Sequence, residues 1–261
     1  MSKIIGLSGR KQSGKNTVAN FLHGAQMVAA GIISDFRFGH DGVLAVPTQM
    51  FDENGSEKIE YGAFEVDRKD LEFVDYMSAN VWPFVKLYSF ADMLKMNICM
   101  QVLGLSYEQC YGTDKDKNTK THLKWQSIPT PTKRSGHMTA REVMQYVGTD
   151  LLRKMDVDVW ATSLLRQIET EGSALAIVCD CRFPNEVEQI KKAGGKVIRL
   201  NRNNHGDDSH ASETVLDKDN YSWKNFDAVI DNQNMNVQET NEAVYQFLLD
   251  WEFVKMECQS S

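Results

Sequence analysis

The sequence predicts an α/β protein with a central, mostly parallel five-stranded sheet. Two observations carry this prediction. Short apolar runs alternate along the chain with segments of helical period, and no internal repeat interrupts them. The length of 261 residues and the composition, 42% hydrophobic and 25% charged, are those of a folded globular protein and exclude a disordered or low-complexity chain.

Five apolar runs are the predicted strands. They cover residues 3–8, 85–90, 174–179, 196–200 and 228–230. Short continuous apolar runs are typical of parallel strands that are buried on both faces. Because parallel strands need long crossover connections, the helical segments between these runs fit the same sheet.

The first two predicted helices follow the first and second strands. The apolar face of the first consists of Val18, Phe21, Leu22 and Ala25. The second covers residues 91–103 and ends at Gly104, since glycine is favoured just after a helix.

Four further helices are predicted in the second half of the chain. A capping box at Thr139 and Glu142 begins one of them, whose apolar face is Ala140, Met144, Val147 and Leu151. The next covers residues 157–168. Pro184 begins a third, which the pair Gly194-Gly195 ends. The last covers residues 237–251 and is apolar at Val244, Phe247, Leu248 and Trp251.

Two segments depart from the alternation of strands and helices. Residues 34–84 carry turn signals at Asp41-Gly42 and Asn54-Gly55 and are interpreted as an insertion that contains a hairpin. Residues 110–138 carry six Lys or Arg and little apolar period, which predicts a mobile basic flap or lid. We expect a single domain over residues 1–261 with this insertion and this lid.

The charge and the cysteines exclude several classes of protein. A net charge of −7 gives no overall basic field of the kind that general nucleic-acid binders need. No run is long enough for a membrane span, and no signal-peptide pattern is present, so we expect a cytoplasmic protein. The five cysteines are scattered and are interpreted as reduced, and no Cys/His spacing predicts zinc.

A glycine-rich loop between the first strand and the first helix predicts a phosphate-binding site. Residues 9–17 read GRKQSGKNT. Glycines let backbone N–H groups surround phosphate oxygens, the helix adds its positive end, and Lys15 adds a charge for the β and γ phosphates. Asn16 stands where the strict motif has Ser or Thr, so Thr17 is the natural magnesium ligand.

This loop alone does not distinguish a kinase from a GTPase or a mechanical ATPase. A GTPase reads guanine through an NKxD element, which the sequence lacks. The GTPase interpretation is therefore disfavoured, and the remaining motifs must decide between the others.

A second polar cluster follows the strand at residues 174–179. Residues 180–186 read DCRFPNE and lie at the carboxyl end of that strand, where open α/β sheets bind ligands. Asp180 could hold magnesium or a ribose hydroxyl, and Arg182 could bind a phosphate with two hydrogen bonds. An Asp–Arg ion pair with a carboxylate at the helix start remains the alternative. Arg141 and Gln145, four residues apart, face either a cleft or solvent.

Several segments together resemble the deoxynucleoside monophosphate kinases of tailed bacteriophages. They are LSGRKQSGKNT (7–17), SFADMLK (89–95), MQYVGTD (144–150), Trp160, DCRFPNE (180–186), HASE (210–213) and the D-x-x-x-x-N of residues 227–232. The resemblance covers most of the chain in order, and residues 34–83 are its least similar part. It implies a P-loop kinase-like three-layer fold and ATP- and Mg²⁺-dependent phosphorylation of deoxynucleoside monophosphates for phage DNA precursor supply.

The resemblance also implies roles for individual residues. Lys11, Lys15 and Arg182 would be catalytic. The donor phosphates and Mg²⁺ would be held by Gly9, Ser13, Gly14, Lys15, Asn16 and Thr17, with Ser212 near the donor adenine. The deoxynucleotide pocket would be lined by Lys11, Lys95, Lys117, Arg141, Gln145, Thr149, Trp160, Asp180, Arg182 and Glu186. A core aromatic is the alternative for Trp160.

Partners follow from the same resemblance. The expected partners are small nucleotides and, in a homodimer, a second copy of the chain. No nucleic-acid or membrane partner is expected. The expected location is the host cytoplasm. Phosphoryl transfer to an acceptor phosphate that is already ionised needs positioned cations and no strong base. Two other functions stay open, a kinase for another small phosphorylated metabolite and a non-catalytic nucleotide-binding protein. The accepted bases are not predicted.

Overall fold

A computed structural model describes residues 2–39, 42–51, 56–68, 70–128, 134–202 and 214–254. The chain divides into two compact units. The first consists of Met1–Tyr88 with Leu165–Ser261, and the second of Ser89–Leu164. That all 261 residues act as a single domain stays a prediction.

The described residues form ten strands. They are β1 (Lys3–Ser8), β2 (Arg37–Phe38), β3 (Leu44–Phe51), β4 (Glu57–Phe64), β5 (Val85–Tyr88), β6 (Lys120–Lys124), β7 (His137–Thr139), β8 (Leu175–Cys181), β9 (Lys196–Leu200) and β10 (Ala228–Ile230).

The α-helices are α1 (Lys15–Ala29), α2 (Leu71–Asn80), α3 (Phe90–Asp92), α4 (Tyr107–Tyr111), α5 (Asp114–Lys117), α6 (Ala140–Gln145), α7 (Arg153–Met155), α8 (Val159–Glu171), α9 (Pro184–Lys192) and α10 (Val237–Asp250). Two π-helices continue α3 and α6. The first covers Met93–Val102 and the second Tyr146–Leu152.

The first unit contains a five-stranded parallel sheet in the order β10-β9-β1-β8-β5, which confirms the predicted strands and their direction. Both faces of β1 are covered. On one face Ile5 and Leu7 belong to a core with residues of α1 and α10. On the other face Gly6 faces α9, where an added Cβ would lie 2.8 Å from Ile190 Cδ1. Helices on both faces make three layers.

Helices α9 and α10 begin and end close to where the sequence predicts them. Pro184 is the first residue of α9, and Gly194 follows its end with a φ of +80°, where a side chain would be strained. A capping box at Asn236 and Glu239 begins α10, whose Val244 and Leu248 are fully buried.

The insertion forms a three-stranded antiparallel sheet in the order β2-β3-β4. The predicted hairpin is its β3–β4 pair, with Leu44 opposite Phe64 and Phe51 opposite Glu57. Its turn at Asn54-Gly55, and Asp41 of the other predicted turn, lie outside the described residues.

The insertion packs along α1. Gly24 allows this approach, because a Cβ there would lie 2.8 Å from Leu44 Cδ1 and 2.9 Å from Phe36 Cγ. Phe21 meets the Phe36 ring edge-on at 5.9 Å between centroids. The sheet of the insertion is therefore fixed to the helix that follows the glycine-rich loop.

The second unit has its own core, built around Cys99, Cys110, Trp125, Met138 and Val143. The predicted helix over residues 91–103 is present, but most of it is π-helical. Gly104 follows it with a φ of +67°, as its helix-ending role requires.

The predicted apolar face of the helix after Thr139 is correct at its start and wrong at its end. Ala140 is buried, and Met144 and Val147 are half-buried against the core of the second unit, whereas Leu151 is 42% exposed. The cause is the π-helix from Tyr146, because its i to i+5 bonding takes more residues per turn and rotates later side chains away from the α-helical face.

Residues 110–138 hold more regular structure than their composition predicts. Their described part contains α5, a 3₁₀ turn at Trp125–Ser127 and the β6–β7 pair. Cys110, Trp125 and Met138 are buried, so scattered apolar residues anchor this basic segment in the core of the second unit.

Four of the five cysteines lie within the described chain, and all four are free thiols, as predicted. Burial raises the pKa of Cys99 to about 12, which makes its reactive thiolate scarce. Among the described helices, none combines the length and the apolarity needed to cross a bilayer.

Candidate active site

The glycine-rich loop of residues 9–14 joins the central strand β1 to α1. Gly14 stands just before α1 with a left-handed φ of +96°, and Gln12 has a φ of +61°. A non-glycine residue in this region marks backbone that its surroundings hold in place, and such residues cluster at ligand sites.

Lys15 turns its side chain back into this loop. Its Nζ donates to the carbonyl oxygens of Gly9 and Arg10 at 2.7 Å each, and the residue is only 8% exposed. The buried Ser13 Oγ has no hydrogen-bond partner among the described residues. A Cβ on Gly9 would lie 2.3 Å from that oxygen, so only glycine fits there.

These groups suit a phosphate chain with a metal ion. The buried Lys15 ammonium lies in the loop, and the buried Ser13 hydroxyl has no hydrogen-bond partner among the described residues. The positive end of the α1 dipole lies at the same loop. Thr17, on the first turn of α1, is half-buried, and Asn16 beside it is exposed.

Asn232 fixes the loop from the far side of the chain. It is fully buried, and its Nδ2 donates to the carbonyl oxygen of Ser13 at 3.0 Å. Asp227, at the other end of the same motif, accepts a hydrogen bond from Val197 N at 2.9 Å. Both ends of this motif therefore support the sheet and the loop.

Asp217 binds two arginines next to the loop. Arg10 donates to it through Nε, at 3.2 Å and 3.1 Å from its two oxygens, and also through Nη2. Arg199 donates from Nη2 to Asp217 Oδ1 at 2.9 Å and from Nη1 to Ser8 Oγ at 3.2 Å. Burial lowers the pKa of Arg199, and the Asp217 carboxylate opposes that shift.

Residues 180–186 lie at the same edge of the sheet as the loop, because Ser8 pairs with Cys181 where β1 and β8 end. Asp180 and Arg182 are half-buried. Glu186 is 2% exposed, and its Oε2 accepts from the backbone N–H groups of Arg182 and Phe183 at 2.8 Å and 3.0 Å. It is the helix-start carboxylate that the sequence left as an alternative.

Arg141 of the second unit binds two residues at either end of α5. Arg141 donates from Nη2 to Asp114 Oδ1 at 2.7 Å and from Nε to Asn118 Oδ1 at 3.2 Å. Lys117 lies between these two partners on α5. Both contacts of Arg141 are exposed, and an exposed ion pair of this kind stabilises a fold little.

The second π-helix presents Gln145 and Thr149. Gln145 immediately precedes it, and both side chains are exposed. Gly148 is buried, since a Cβ there would lie 2.7 Å from Leu94 Cδ2. Trp160 is buried and donates from Nε1 to the Gly148 carbonyl oxygen at 3.0 Å. Trp160 thus supports the backbone beside Thr149.

Lys95 lies on the first π-helix, with its Nζ 4.6 Å from the centroid of the Tyr111 ring. Tyr111 donates to Asp92 Oδ1 at 2.8 Å, and burial raises its pKa. π-Helical turns occur frequently at functional sites, and both of these carry predicted pocket residues.

The family model of the deoxynucleotide monophosphate kinases matches residues 3–242. The chain belongs to this family. It is an enzyme that phosphorylates deoxynucleotide monophosphates, as the resemblance of its motifs implies.

One relative of this kinase is a protein of Acanthamoeba polyphaga mimivirus named "Putative deoxynucleotide monophosphate kinase". The two sequences are 35% identical over 165 residues, which are 58% of this chain and 76% of the relative.

The predicted site residues of this kinase fall into both units. The first unit contains Gly9, Lys11, Ser13, Gly14, Lys15, Asn16, Thr17, Asp180, Arg182 and Glu186. The second contains Lys95, Lys117, Arg141, Gln145, Thr149 and Trp160. Ser212 lies outside the described residues.

Sequence reasoning missed several residues that contact the glycine-rich loop or a predicted pocket residue. Asn232 carried a signal, since it ends the D-x-x-x-x-N motif. Asp217 and Tyr111 carried none, because single acidic or aromatic residues between motifs do not stand out. Their roles depend on contacts across the chain, such as the Arg10–Asp217 pair, 207 residues apart.

Proposed function

We propose that this kinase transfers the γ-phosphate of ATP, with Mg²⁺, to the phosphate of a deoxynucleoside monophosphate and releases the diphosphate. The observation that carries this proposal is the position of Lys15. Its ammonium group is buried on two carbonyl oxygens of the glycine-rich loop. A donor phosphate chain in that loop would lie beside this cation, and the opposite charges would attract each other.

The residues of the loop have different roles toward the donor. Gly9 and Gly14 permit the bend, and the Ser13 hydroxyl and the Asn16 side chain would contact phosphate oxygens. Thr17 would hold Mg²⁺ through its hydroxyl. When bound, the ion neutralises charge on the β and γ phosphates. Lys11, exposed on the loop, would accompany the group in transfer and contact the acceptor phosphate.

Arg182 and Asp180 would bind the acceptor from the first unit. Arg182 would hold the acceptor phosphate, and Asp180 a sugar hydroxyl. Glu186 would act through the backbone N–H of Arg182, which it holds at 2.8 Å. Glu186 is thus a positioning residue in this proposal.

The family resemblance also assigns residues of the second unit to the deoxynucleotide. Arg141 would exchange its exposed Asp114 partner for the nucleotide. By the family resemblance, the deoxynucleotide would also contact Lys117, Lys95, Gln145 and Thr149, and Trp160 would support the backbone beside Thr149. We place Ser212 near the donor adenine by the family resemblance alone.

The chemistry requires charge stabilisation more than acid–base catalysis. The acceptor phosphate is already ionised, so it attacks without a strong general base. Lys11, Lys15 and Arg182 would stabilise the charge that spreads over the transferred group. Closure of residues 110–138 over bound nucleotides would exclude water and suppress hydrolysis of ATP.

The test is ADP formation from ATP and Mg²⁺ with each deoxy- and ribonucleoside monophosphate in turn. We expect ADP to form only when a deoxynucleoside monophosphate is present. Equal ADP release with and without any acceptor would contradict the proposal. Nucleotide binding without acceptor-dependent turnover would point to a non-catalytic protein.

The biological setting is part of the same proposal. A viral gene product that supplies DNA precursors in the cytoplasm of an infected host fits this activity. A homodimer is expected from the family resemblance, and light scattering of the purified protein would test it.

A further inference from the structure

The turn between β2 and β3 requires a glycine at position 42. Gly42 N donates to the Gly39 carbonyl oxygen at 3.0 Å, and Gly39 N donates to the Val43 carbonyl oxygen at 2.9 Å. The φ of Gly42 is +78°, a left-handed value that costs other residues energy. We call Gly39, Gly42 and Val43 the β2–β3 turn.

The β2–β3 turn lies against Thr17. An added Cβ on Gly42 would lie 2.9 Å from Thr17 Oγ1 and 3.5 Å from Thr17 Cγ2. Asn20 follows Thr17 by three residues on α1, and its Nδ2 donates to the Gly42 carbonyl oxygen at 3.1 Å. Helix α1 therefore holds the turn at the hydroxyl group that the proposed function assigns to Mg²⁺.

This contact is one end of a longer interface. The same strands pack further along α1, where Gly24 admits Leu44 and Phe36, and Phe21 meets Phe36 and Phe38. Because aromatic and aliphatic packing fixes the insertion on α1, the position of Gly42 over Thr17 does not depend on the turn alone.

We propose that Gly42 is a positioning residue of the donor site and that the insertion is part of that site. A helical threonine has two accessible χ1 rotamers, which place its hydroxyl differently. Gly42 has no side chain and so leaves room for the observed rotamer of Thr17, while its backbone lies on one side of the Thr17 hydroxyl. A methyl group at position 42 would displace the hydroxyl. This inference rests on the proposed role of Thr17.

The test compares Gly42→Ala with Gly31→Ala. Gly31 also has a left-handed φ, +71°, but a Cβ there would meet nothing within 4 Å. The two variants therefore share backbone strain, and only the first crowds Thr17. The readout is Mn²⁺ affinity in the presence of a non-hydrolysable ATP analogue, measured by electron paramagnetic resonance.

We expect Gly42→Ala to weaken Mn²⁺ binding by about tenfold or more, the usual effect of disturbing a residue that orients a metal ligand. Gly31→Ala should match the wild type. In a Thr17→Ala background, Gly42→Ala should have no further effect, because coupled residues are not additive. Affinity for the analogue in EDTA should be unchanged in Gly42→Ala and in Gly31→Ala.

Asn20→Ala provides a second variant that keeps the glycine and loses only the hydrogen bond to the turn. We expect a smaller loss of Mn²⁺ affinity in the same direction. Wild-type affinity in both Gly42→Ala and Asn20→Ala would overturn the inference. Absence of Mn²⁺ binding by the wild type with the analogue would instead overturn the proposed donor site, and this inference with it.

Discussion

Lys15 is the central residue of the proposed donor site. Its ammonium group is buried and donates to two backbone carbonyl oxygens of the glycine-rich loop. A phosphate would be a stronger partner than a carbonyl oxygen, because it adds the attraction between opposite charges to the hydrogen bond. The Lys15 ammonium group is thus already positioned in the loop to which the proposed function assigns the triphosphate.

Replacement of Lys15 by methionine keeps its length and removes its charge. We expect kcat to fall by about 10²- to 10³-fold, since one positioned donor to the transition state is worth that much. Steady-state ADP release measures this, and circular dichroism checks the fold. The control is Lys192→Met, which replaces an exposed lysine at the end of α9. Near-normal turnover of Lys15→Met would remove the phosphate-loop assignment.

His23 is a buried base on α1 without a hydrogen-bond partner among the described residues at either ring nitrogen. Burial lowers its pKa from 6.5 to about 3. Between these values the unfolded chain binds a proton at this residue and the folded chain does not. Stability therefore falls as the pH falls below 6.5, by about 1.4 kcal/mol per pH unit.

We expect His23→Leu to reduce this loss of stability between pH 6.5 and 4.5. The leucine also removes an unsatisfied polar group, so the variant should be at least as stable as the wild type at pH 7. Urea unfolding at several pH values measures both effects. His122→Leu, at an exposed position, should leave the slope as it is. An unchanged slope in His23→Leu would contradict the burial argument.

The two π-helices shape the second unit at the level of elements. The apolar period of the sequence predicted helices at both places, and both exist. The period did not predict their π-helical winding, because the winding follows from tertiary contacts such as the Trp160 hydrogen bond to Gly148. Leu151 was therefore wrongly expected in the core, and Thr149 turns out to be exposed beside a buried glycine.

Trp160→Phe tests this arrangement. The ring remains, but the Gly148 carbonyl oxygen loses its indole donor, which costs about 1–3 kcal/mol when the group stays buried. We expect urea unfolding to show this loss of stability. We also expect the substitution to raise the KM for the deoxynucleotide more than the KM for ATP. Trp82→Phe, in the first unit, is the matched control. An unchanged KM for the deoxynucleotide would leave Trp160 with a purely structural role.

For the whole molecule, the sequence predicted the sheet better than the site. All five central strands were found, since buried parallel strands are continuous apolar runs. The glycine-rich loop was also recognised, since its residues are contiguous. Its support was not, because Asn232 reaches Ser13 across 219 residues and local patterns hold no record of that contact.

The basic segment of residues 110–138 leads to a prediction for the whole enzyme. If it closes on bound nucleotides, trypsin should cut after Lys117 more slowly with an ATP analogue and a deoxynucleoside monophosphate together than with either alone. Mass spectrometry of timed digests measures this, with cleavage after exposed Lys192 as the internal control. Equal rates at Lys117 in all conditions would contradict a lid.

The central position of β1 has a consequence for biosynthesis. Its two neighbours, β8 and β9, are translated more than a hundred and fifty residues later. The chain of the second unit, Ser89–Leu164, is by contrast continuous. It leaves the ribosome complete while the first strand still lacks both partners. Folding then proceeds from the middle of the polypeptide outward, and β1 depends on late pairing or on chaperones to stay free of aggregation.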